Sequence, residues 1–187
     1  MSPPRGPTPT IEPFDPERHD REGFSCGVEQ VDNFFKRTAN KLARADNLRV
    51  FVMVAADGAT IGFHALNAHA VDFADLPPRF ARTRPRHGAI PAAYISMIGV
   101  DRRFAGRGHG GDLLVDALRR IAVAADALGI AVVMLDVLDD GDAISVARRK
   151  TLYEGYGFRP LASNPLRLFL PVATVRELIA SAGDAAG

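Results

Sequence analysis

Residues 94–118 read YISMIGVDRRFAGRGHGGDLLVDAL, and this stretch decides the fold. Its first part, Tyr94–Val100, is mostly apolar or β-branched, as in a strand that is buried on both faces. Four glycines then fall between residues 106 and 111, so backbone amides can approach a ligand with no Cβ atom in the way. Over Leu113–Leu128 apolar residues recur at spacings of three and four, which predicts an amphipathic helix. Because N–H groups at the positive end of a helix bind anions, this order of strand, turn and helix predicts a pyrophosphate site.

Two common pyrophosphate sites fit this loop poorly. The pattern Gly106-x-Gly108-x-x-Gly111 matches the dinucleotide fingerprint, and Asp136 lies at about the distance expected of a ribose ligand. In that fold, however, the first glycine directly follows the strand and further βαβ units are needed. Here five residues separate Val100 from Gly106, and only about fifty residues follow Asp136. A nucleoside triphosphate loop is excluded because no Lys-Ser or Lys-Thr follows the glycines.

Four segments of the chain match the motifs of a third kind of pyrophosphate-binding protein. The GNAT superfamily of N-acetyltransferases has an acetyl-coenzyme A loop that resembles Gly106-Arg-Gly-His-Gly-x-x-Leu-Leu114. Its tyrosine-bearing helix and following strand resemble Leu152-Tyr-Glu-Gly-Tyr-Gly-Phe158. The GNAT-type toxins that acetylate aminoacyl-tRNA have an opening similar to Phe24-Ser-Cys-Gly-Val-Glu-Gln-Val-Asp-Asn-Phe-Phe35 and a closing strand similar to Arg167-Leu-Phe-Leu-Pro-Val-Ala-Thr174. The resemblance extends from residue 11 to about residue 175.

The resemblance implies which residues form the site. The implied acetyl-coenzyme A residues are Ile98, Gly99, Val100, Arg103, Gly106, Arg107, Gly108, His109, Gly110 and Gly111. Tyr153 matches the general acid, since a phenol is protonated at neutral pH and can donate to the departing sulfur. Tyr156 is the rival for that role, and Phe158 is expected in the core. Ala105 stands where these loops commonly have Gln or Arg, so Arg103 is expected to supply the missing phosphate contact.

The predicted fold is α/β. It is a mixed, twisted sheet of six or seven strands with helices on both faces and a V-shaped opening between the 94–100 and 131–137 strands. Gly99 lies inside the central strand, where a glycine often marks a bulge. In GNAT enzymes a bulge here splays two parallel strands and admits the acyl chain of the cofactor. The alternative for Gly99 is tight packing against a neighbouring side chain.

Residues 74–92 are predicted to be a loop, with four prolines and the densest positive charge in the chain. The candidate acceptor-binding residues are Arg79, Arg82, Arg84 and Arg86. One interpretation is a solvated, mobile connection. The other, which depends on the resemblance, is an electrostatic contact with the acceptor end of tRNA.

Composition sets the remaining limits. The 187 residues suit a disordered tail over 1–10 and a single domain over 11–187. The net charge of +1 gives no overall attraction to nucleic acid. The single cysteine, Cys26, permits no internal disulfide, suits a reducing cytoplasmic compartment and is expected to be a buried structural thiol. No membrane span and no metal-ligand spacing are present in the sequence.

These observations predict an N-acetyltransferase that moves an acetyl group from acetyl-coenzyme A to a primary amine. The preferred acceptor is the α-amino group of an aminoacyl-tRNA, as in a toxin. One alternative is a small-molecule or protein amine, and another is a catalytically silent acyl-coenzyme A-binding module. The partners implied are charged tRNA, an antitoxin protein and a second copy of the chain.

Overall fold

The computed structural model describes residues 8–82 and 88–184. Within them, seven strands form one mixed sheet in the order β1-β2-β3-β4-β5-β7-β6. The strands are β1 (Thr10–Pro13), β2 (Arg49–Val54), β3 (Thr60–Asp72), β4 (Ala89–Val100), β5 (Val132–Asp136), β6 (Arg159–Pro160) and β7 (Arg167–Pro171). The helices are α1 (Glu29–Asn33), α2 (Ala39–Arg44), α3 (Pro78–Ala81), α4 (His109–Ala127), α5 (Ala143–Gly155) and α6 (Val172–Asp184). The prediction of an α/β fold with six or seven strands is confirmed.

Short irregular helices complete the list of elements. A π-helical segment, Phe34–Thr38, joins α1 to α2, and 3₁₀ turns cover Phe73–Asp75 and Arg102–Phe104. No helix in the described ranges is long and apolar enough to cross a membrane.

The strand pairing combines antiparallel and parallel neighbours. β1 lies at the sheet edge, and β2 pairs antiparallel with both β1 and β3. Asp57-Gly58 between two strands predicts a hairpin turn, and Gly58, in the turn between β2 and β3, has the left-handed φ, +85°, that such a turn needs. β5 runs parallel to β4 and antiparallel to β7. The parallel pairing joins Ala92–Ile95 to Val132–Leu135, and the V-shaped opening beyond it stays a prediction.

The chain forms two compact units. The first contains the described residues up to Asn67 together with Ser96–Ala117, and the second contains Ala68–Ile95 together with the described residues from Leu118 onward.

In the first unit, helices cover both faces of the sheet. Phe63 on β3 stacks on Phe35 of the π-helical segment, with ring centroids 4.3 Å apart and planes 8° apart. Its neighbour His64 points to the opposite face, because successive side chains of a strand alternate. There, His64 Nε2 is hydrogen-bonded to Asp116 Oδ2 of α4 at 2.7 Å. For this unit, the prediction of helices on both faces is confirmed.

In the second unit, an apolar cluster lies on one face of the strands. Its fully buried members are Val71, Leu76, Ile90, Ala92, Ala131, Val132, Met134, Leu161 and Phe169. Phe80 of α3 packs on this cluster, and its ring meets the Phe169 ring edge-on at 5.4 Å. The helix α3 therefore covers part of the sheet.

Three sequence predictions need correction. Residues 74–92 are not all loop: Pro78 begins α3, as its fixed φ favours at a first helical position, and β4 begins at Ala89. Pro91 concealed the start of β4, since proline is atypical inside a strand. Apolar residues at 28, 31, 35, 39 and 42 predict a helix over 28–45, and the structure has a helix there with a π-helical middle. β1 begins at Thr10, inside the predicted disordered tail, whose residues 1–7 lie outside the described ranges.

Candidate active site

The glycine-rich loop joins β4 to α4 in the first unit. Gly106 and Gly108 have φ angles of +75° and +87°, a left-handed conformation that other residues adopt only with strain. A Cβ atom added to either glycine would meet no described atom within 4 Å. These glycines are therefore required by the backbone and not by packing. The open loop and the positive end of the 19-residue α4, which begins at His109, fit a diphosphate ligand.

Asp101 anchors the start of this loop. It is buried, and it accepts hydrogen bonds from the Ser25 amide at 3.1 Å and the Arg103 amide at 2.9 Å. The Arg103 guanidinium donates two more, from Nε at 2.9 Å and from Nη2 at 3.1 Å. Burial opposes ionisation, but the hydrogen bonds from Arg103 and from the Ser25 amide together outweigh it and hold the pKa of Asp101 below its usual value. Asp101 therefore stays ionised and ties the loop to the segment that contains Ser25.

Asp101 is absent from the residues predicted from the sequence, although a signal for it is present. An aspartate stands directly after a buried strand and before a turn, where short acidic side chains accept backbone amides. The Asp101 side chain caps the 3₁₀ turn Arg102–Phe104 in this way.

Two arginines predicted to bind phosphate flank the ring of Phe104. The guanidinium carbons of Arg103 and Arg107 lie 5.6 Å and 5.7 Å from the ring centroid. Arg103 is held by Asp101, yet 58% of its side chain is exposed to solvent. The phosphate contacts of both arginines stay predictions.

The last residues of β4 explain why position 99 is a glycine. A Cβ atom at Gly99 would lie 2.8 Å from Val31 Cγ1 and 3.1 Å from a Phe63 ring carbon. Ile98 and Val100, which alternate with Gly99 along the strand, pack instead with the cluster of Met53, Ile61 and Leu113. Tight packing, the second interpretation of Gly99, is therefore what the structure contains. The predicted backbone contacts of residues 98–100 with the cofactor arm stay predictions.

Tyr153 lies near the end of α5 in the second unit. Its ring is half-buried and meets the Phe158 ring edge-on at 6.2 Å. Burial raises the pKa of Tyr153, although Arg149 nearby lowers it, so the phenol keeps its proton at neutral pH. The Arg149 guanidinium donates to the Leu138 carbonyl at 2.9 Å, and Arg149 and Tyr153 share one face of α5 by their spacing of four. Tyr153 thus lies on the side of α5 that is tied to the chain just after β5.

The two other aromatic residues of this motif have distinct positions. Phe158 is buried in the core, as predicted. Tyr156 follows the last residue of α5, and its amide donates to the Tyr153 carbonyl at 3.0 Å. Tyr156 therefore lies where the chain leaves the helix.

The predicted acceptor-binding arginines lie partly in the described chain. Arg79 is on α3, with its guanidinium carbon 4.6 Å from the Phe80 ring centroid, and Arg82 is exposed just after α3. Arg84 and Arg86 lie outside the described residues. Arg159 on β6 also stacks on Phe80, at 5.6 Å, and was missed because it is distant from the other arginines in sequence.

Cys26 is half-buried, not buried as predicted. Burial raises the pKa of its thiol to about 12, and the nearby Asp32 carboxylate acts in the same direction. The thiol therefore stays protonated and is a poor nucleophile, in agreement with a structural role.

Asp136, the ribose ligand of the rejected dinucleotide interpretation, is occupied by other partners. It accepts two hydrogen bonds from the Arg167 guanidinium, at 2.7 Å and 2.8 Å, and one from the Tyr94 hydroxyl at 2.8 Å. This carboxylate has a partner for each oxygen within the sheet itself.

The predicted site residues fall into two groups. The first unit contains all ten predicted cofactor residues, and the second contains Tyr153, Arg79 and Arg82. Among residues 8–82 and 88–184, no three His, Cys, Asp or Glu side chains group as a metal site would require.

Solved structures of toxins share the fold of this chain. AtaT in complex with acetyl-methionyl-tRNAfMet has a TM-score of 0.80 at 24% identity, over 92% of this chain and 99% of that chain. AtaTR bound with acetyl-coenzyme A has a TM-score of 0.76 at 24% identity, over 91% and 98% of the two chains. An AtaT variant bound to acetyl-coenzyme A and the C-terminus of the antitoxin AtaR has a TM-score of 0.74 at 22% identity, over 91% and 98%.

Relatives identified by sequence are closer. A probable toxin TacT from Sinorhizobium fredii is 65% identical over 170 residues, which is 90% of this chain and 94% of the relative. A tRNA-acetylating toxin from Mycobacterium tuberculosis is 32% identical over 160 residues, which is 86% of this chain and 90% of the relative. The chain matches no family model. Identity at this level over nearly the whole length shows that the chain belongs to the family of the TacT-type, tRNA-acetylating toxins.

Proposed function

We propose that this chain transfers the acetyl group of acetyl-coenzyme A to the α-amino group of an aminoacyl-tRNA, and that it acts as a toxin. The observation that carries the proposal is the 32% identity, over 86% of the chain, with a relative named for acetylating tRNA. The glycine-rich loop supports the cofactor assignment, because its left-handed glycines and the start of α4 suit a diphosphate.

The chemistry assigned to this chain is acyl transfer. Acetyl-coenzyme A supplies an activated thioester. The neutral amine attacks its carbonyl carbon, the carbon–sulfur bond breaks, the nitrogen gives up one proton to solvent as the amide forms, and the departing thiolate takes up a proton. Tyr153 is the proposed donor of that proton, since burial raises the pKa of its phenol and keeps it protonated at neutral pH.

The acceptor side of the proposal concerns Arg79 and Arg82. Both lie at or just after α3 and are exposed, so they can contact phosphates of a tRNA. Charge reversal at both positions is expected to raise the KM for charged tRNA and to leave the KM for acetyl-coenzyme A unchanged. Unchanged transfer to charged tRNA would remove these arginines from the acceptor site.

The test is transfer of radiolabelled acetyl from acetyl-coenzyme A to bulk charged tRNA, with deacylated tRNA and free amino acids as controls. We expect label on charged tRNA alone. Tyr153→Phe should reduce the rate by about 10²–10⁴-fold with cofactor binding intact, because it removes only the hydroxyl group whose proton the thiolate would take. Tyr156→Phe, the same change at the end of the same helix, is the matched control and should keep most activity.

The other outcomes identify the alternatives. Label on small amines or peptides, but not on charged tRNA, would indicate a different acceptor. Cofactor binding with no transfer to any acceptor would indicate a silent binding module. Loss of activity in Tyr156→Phe but not in Tyr153→Phe would exchange the roles of the two tyrosines.

An antitoxin protein, a cytoplasmic location and self-association complete the proposal. AtaT, which shares the fold, has been solved with the C-terminus of its antitoxin AtaR. The single, protonated cysteine suits a reducing compartment, and charged tRNA is present in the cytoplasm. Growth arrest on expression, relieved by an adjacent gene product, would support the antitoxin, and light scattering of the purified chain measures self-association.

A further inference from the structure

Four neighbouring strands carry planar polar side chains that contact one another in a row across the sheet in the second unit. They are His69 on β3, Tyr94 on β4, Asp136 on β5 and Arg167 on β7, and we call this row the polar rung. The His69 and Tyr94 ring centroids are 5.1 Å apart with planes 30° apart, and the Arg167 guanidinium carbon lies 6.0 Å from the Tyr94 ring centroid. Hydrogen bonds of 2.7–2.8 Å join Tyr94 and Arg167 through Asp136.

The polar rung continues the face that carries the apolar cluster. Along β4, β5 and β7 its residues lie two positions from Ala92, Met134 and Phe169, and Tyr94 itself packs against the cluster. Residues two apart on a strand share a face. On this face, therefore, buried apolar side chains give way to the exposed or half-buried side chains of the rung two residues further along each strand.

An ion pair between strands explains only part of this arrangement. Asp136 and Arg167 lie opposite each other in register, but their side chains are 37% and 36% exposed. Exposed pairs contribute little to stability. Such a pair needs neither the Tyr94 ring beside the guanidinium nor the His69 ring beside Tyr94. The bidentate bond does fix the plane of the guanidinium, which a flexible pair would leave free.

The charge states of the polar rung are well defined. The hydrogen bonds from Arg167 hold the pKa of Asp136 below its usual value, and those to Asp136 raise the pKa of Arg167. Burial, followed by the bond to Asp136, raises the pKa of Tyr94 to about 12. At neutral pH the rung therefore offers a neutral phenol ring and a flat cation beside it.

The polar rung lies at the end of β5 from which the chain runs to Tyr153. Asp136 is the last residue of β5, and the Val137 amide donates to the Leu166 carbonyl at 2.7 Å, next to Arg167. One residue later, the Leu138 carbonyl accepts the bond from Arg149, which lies one turn before Tyr153 on α5. The segment Asp136–Leu138 and the hydrogen bond from Arg149 thus connect the rung to the helix that carries the proposed proton donor.

Two exposed arginines are connected to the polar rung through the rings of Phe80 and Phe169. The Phe169 ring, two residues from Arg167 on β7, packs edge-on against Phe80. Arg79 and Arg159 both stack on Phe80, at 4.6 Å and 5.6 Å. A ligand whose base lies on the rung would therefore find exposed guanidinium groups nearby for its phosphates.

We propose that the polar rung is a stacking platform for a nucleobase in the single-stranded 3′ end of the acceptor tRNA, a proposal that rests on the proposed function. Proteins recognise unpaired nucleotides by stacking the bases on aromatic rings and guanidinium planes, often across neighbouring strands of a sheet. The Tyr94 ring and the fixed Arg167 plane supply both kinds of surface. By stacking on the base, the platform would hold the 3′ end of the tRNA in place while the attached amino acid is acetylated.

The test measures binding directly, without the acetyl-transfer reaction. The dissociation constants of intact deacylated tRNA and of the same tRNA lacking its single-stranded 3′ nucleotides are measured at one fixed salt concentration, because salt alone changes such affinities. For the wild type we expect tighter binding of the intact tRNA. Stacking of one base is worth about 1–3 kcal/mol, which corresponds to a preference of about 5- to 150-fold.

Three variants separate the ring face from the hydrogen bond. Tyr94→Leu keeps apolar bulk against the cluster but has no flat ring, so the preference for intact tRNA should vanish. Tyr94→Phe keeps the ring and loses only the bond to Asp136, so the preference should remain. Arg167→Lys keeps the charge without the plane and should reduce the preference. Thermal unfolding checks that each variant is folded, and acetyl-coenzyme A binding should be the same in all three.

Several results would overturn the proposal. One is equal binding of intact and truncated tRNA by the wild type, and another is an equal loss in Tyr94→Phe and Tyr94→Leu, which would make the hydrogen bond the important feature. A loss in Tyr94→Leu for charged tRNA but not for deacylated tRNA would make the aminoacyl group the occupant. Absence of acetyl transfer with the binding preference intact would contradict the proposed reaction and leave the platform standing.

Discussion

Single carboxylates hold three turns at which this chain leaves a strand or begins a helix. Asp101, after β4, and Asp72, at the end of β3, each accept the amide two residues further on, at 2.9 Å and 2.8 Å. Asp142 does the same for Ile144, at 3.2 Å, at the start of α5. Only Asp101 is buried, and only there does an arginine share the carboxylate. The glycine-rich loop therefore begins at one buried carboxylate.

Asp101→Asn is expected to destabilise the chain and to weaken acetyl-coenzyme A binding. Asparagine keeps the size of the side chain but removes the charge, and a hydrogen bond to a charged group is worth about 1.5–3 kcal/mol. Urea unfolding measures the stability, and calorimetric titration with acetyl-coenzyme A measures the binding.

Asp46→Asn is the matched control for this prediction. The Asp46 side chain is 81% exposed and pairs with Arg49 at 2.7 Å, a surface contact worth less than about 1 kcal/mol. If Asp101→Asn costs no more than this control, Asp101 is not an anchor of the loop.

At the scale of elements, the sequence predicted what depends on local pattern. The apolar spacing of α4 and the glycines before it determine a helix whose start is open to a ligand, and both are as predicted. The Asp57-Gly58 hairpin is also local, because its turn needs a left-handed residue.

The features that escaped prediction depend on contacts between distant residues. The burial of Asp101 requires Ser25, and the stack of Arg159 on Phe80 joins β6 to α3. The polar rung joins side chains from four strands, and no pattern of spacing along the sequence predicts these contacts. Pro91 concealed the first residues of β4, since the local rule for proline was overruled by the sheet.

Gly99→Ala tests whether β4 is packed closely against α1. The added Cβ would lie 2.8 Å from Val31 Cγ1, so overpacking should destabilise the chain by about 1–3 kcal/mol. Val31→Ala removes the opposing methyl groups, and the double variant should lose less stability than the sum of the two single variants. Urea unfolding of all four proteins measures this coupling. Strict additivity would mean that the space at Gly99 serves another purpose.

Gly110→Ala separates the stability of α4 from its role in binding. Gly110 lies in the first turn of the helix, without a positive φ, and its added Cβ would come no closer than 4.0 Å to another side chain. Alanine should therefore raise the stability of the free protein by up to about 1 kcal/mol. The same Cβ would stand where the resemblance places the cofactor phosphates, so acetyl-coenzyme A binding should weaken.

Gly129→Ala is the control for this pair of effects. Gly129 follows α4, has no positive φ and has no described atom within 4 Å of its added Cβ. It should change neither the stability nor the binding by much. Unimpaired binding in Gly110→Ala would contradict a phosphate site at the start of α4.

At the scale of the whole molecule, both compact units rely on ionised carboxylates. In the first unit, hydrogen bonds hold the pKa values of Asp32 and Asp101 below their usual values, against the effect of burial. In the second, Arg167 lowers the pKa of Asp136, and Arg149 lowers that of Asp140 to about 2. Although the net charge is only +1, the chain contains local ion pairs and charge-assisted hydrogen bonds in which carboxylates are the acceptors.

The lowered pKa values of these carboxylates determine how the stability of the chain should depend on pH. A carboxyl group whose pKa is lower in the folded chain stabilises the fold above its unfolded pKa, about 4 for aspartate, and loses that contribution as pH falls through its folded pKa. The free energy of unfolding should therefore be nearly constant from about pH 7 to pH 5 and should fall between about pH 4 and pH 2. Urea midpoints across this range measure the effect. Asp101→Asn and Asp136→Asn should each make the fall less steep, since each removes a group that takes up a proton on unfolding. A loss of stability that is complete above pH 5, or slopes identical in the wild type and both variants, would show that other groups control the acid sensitivity.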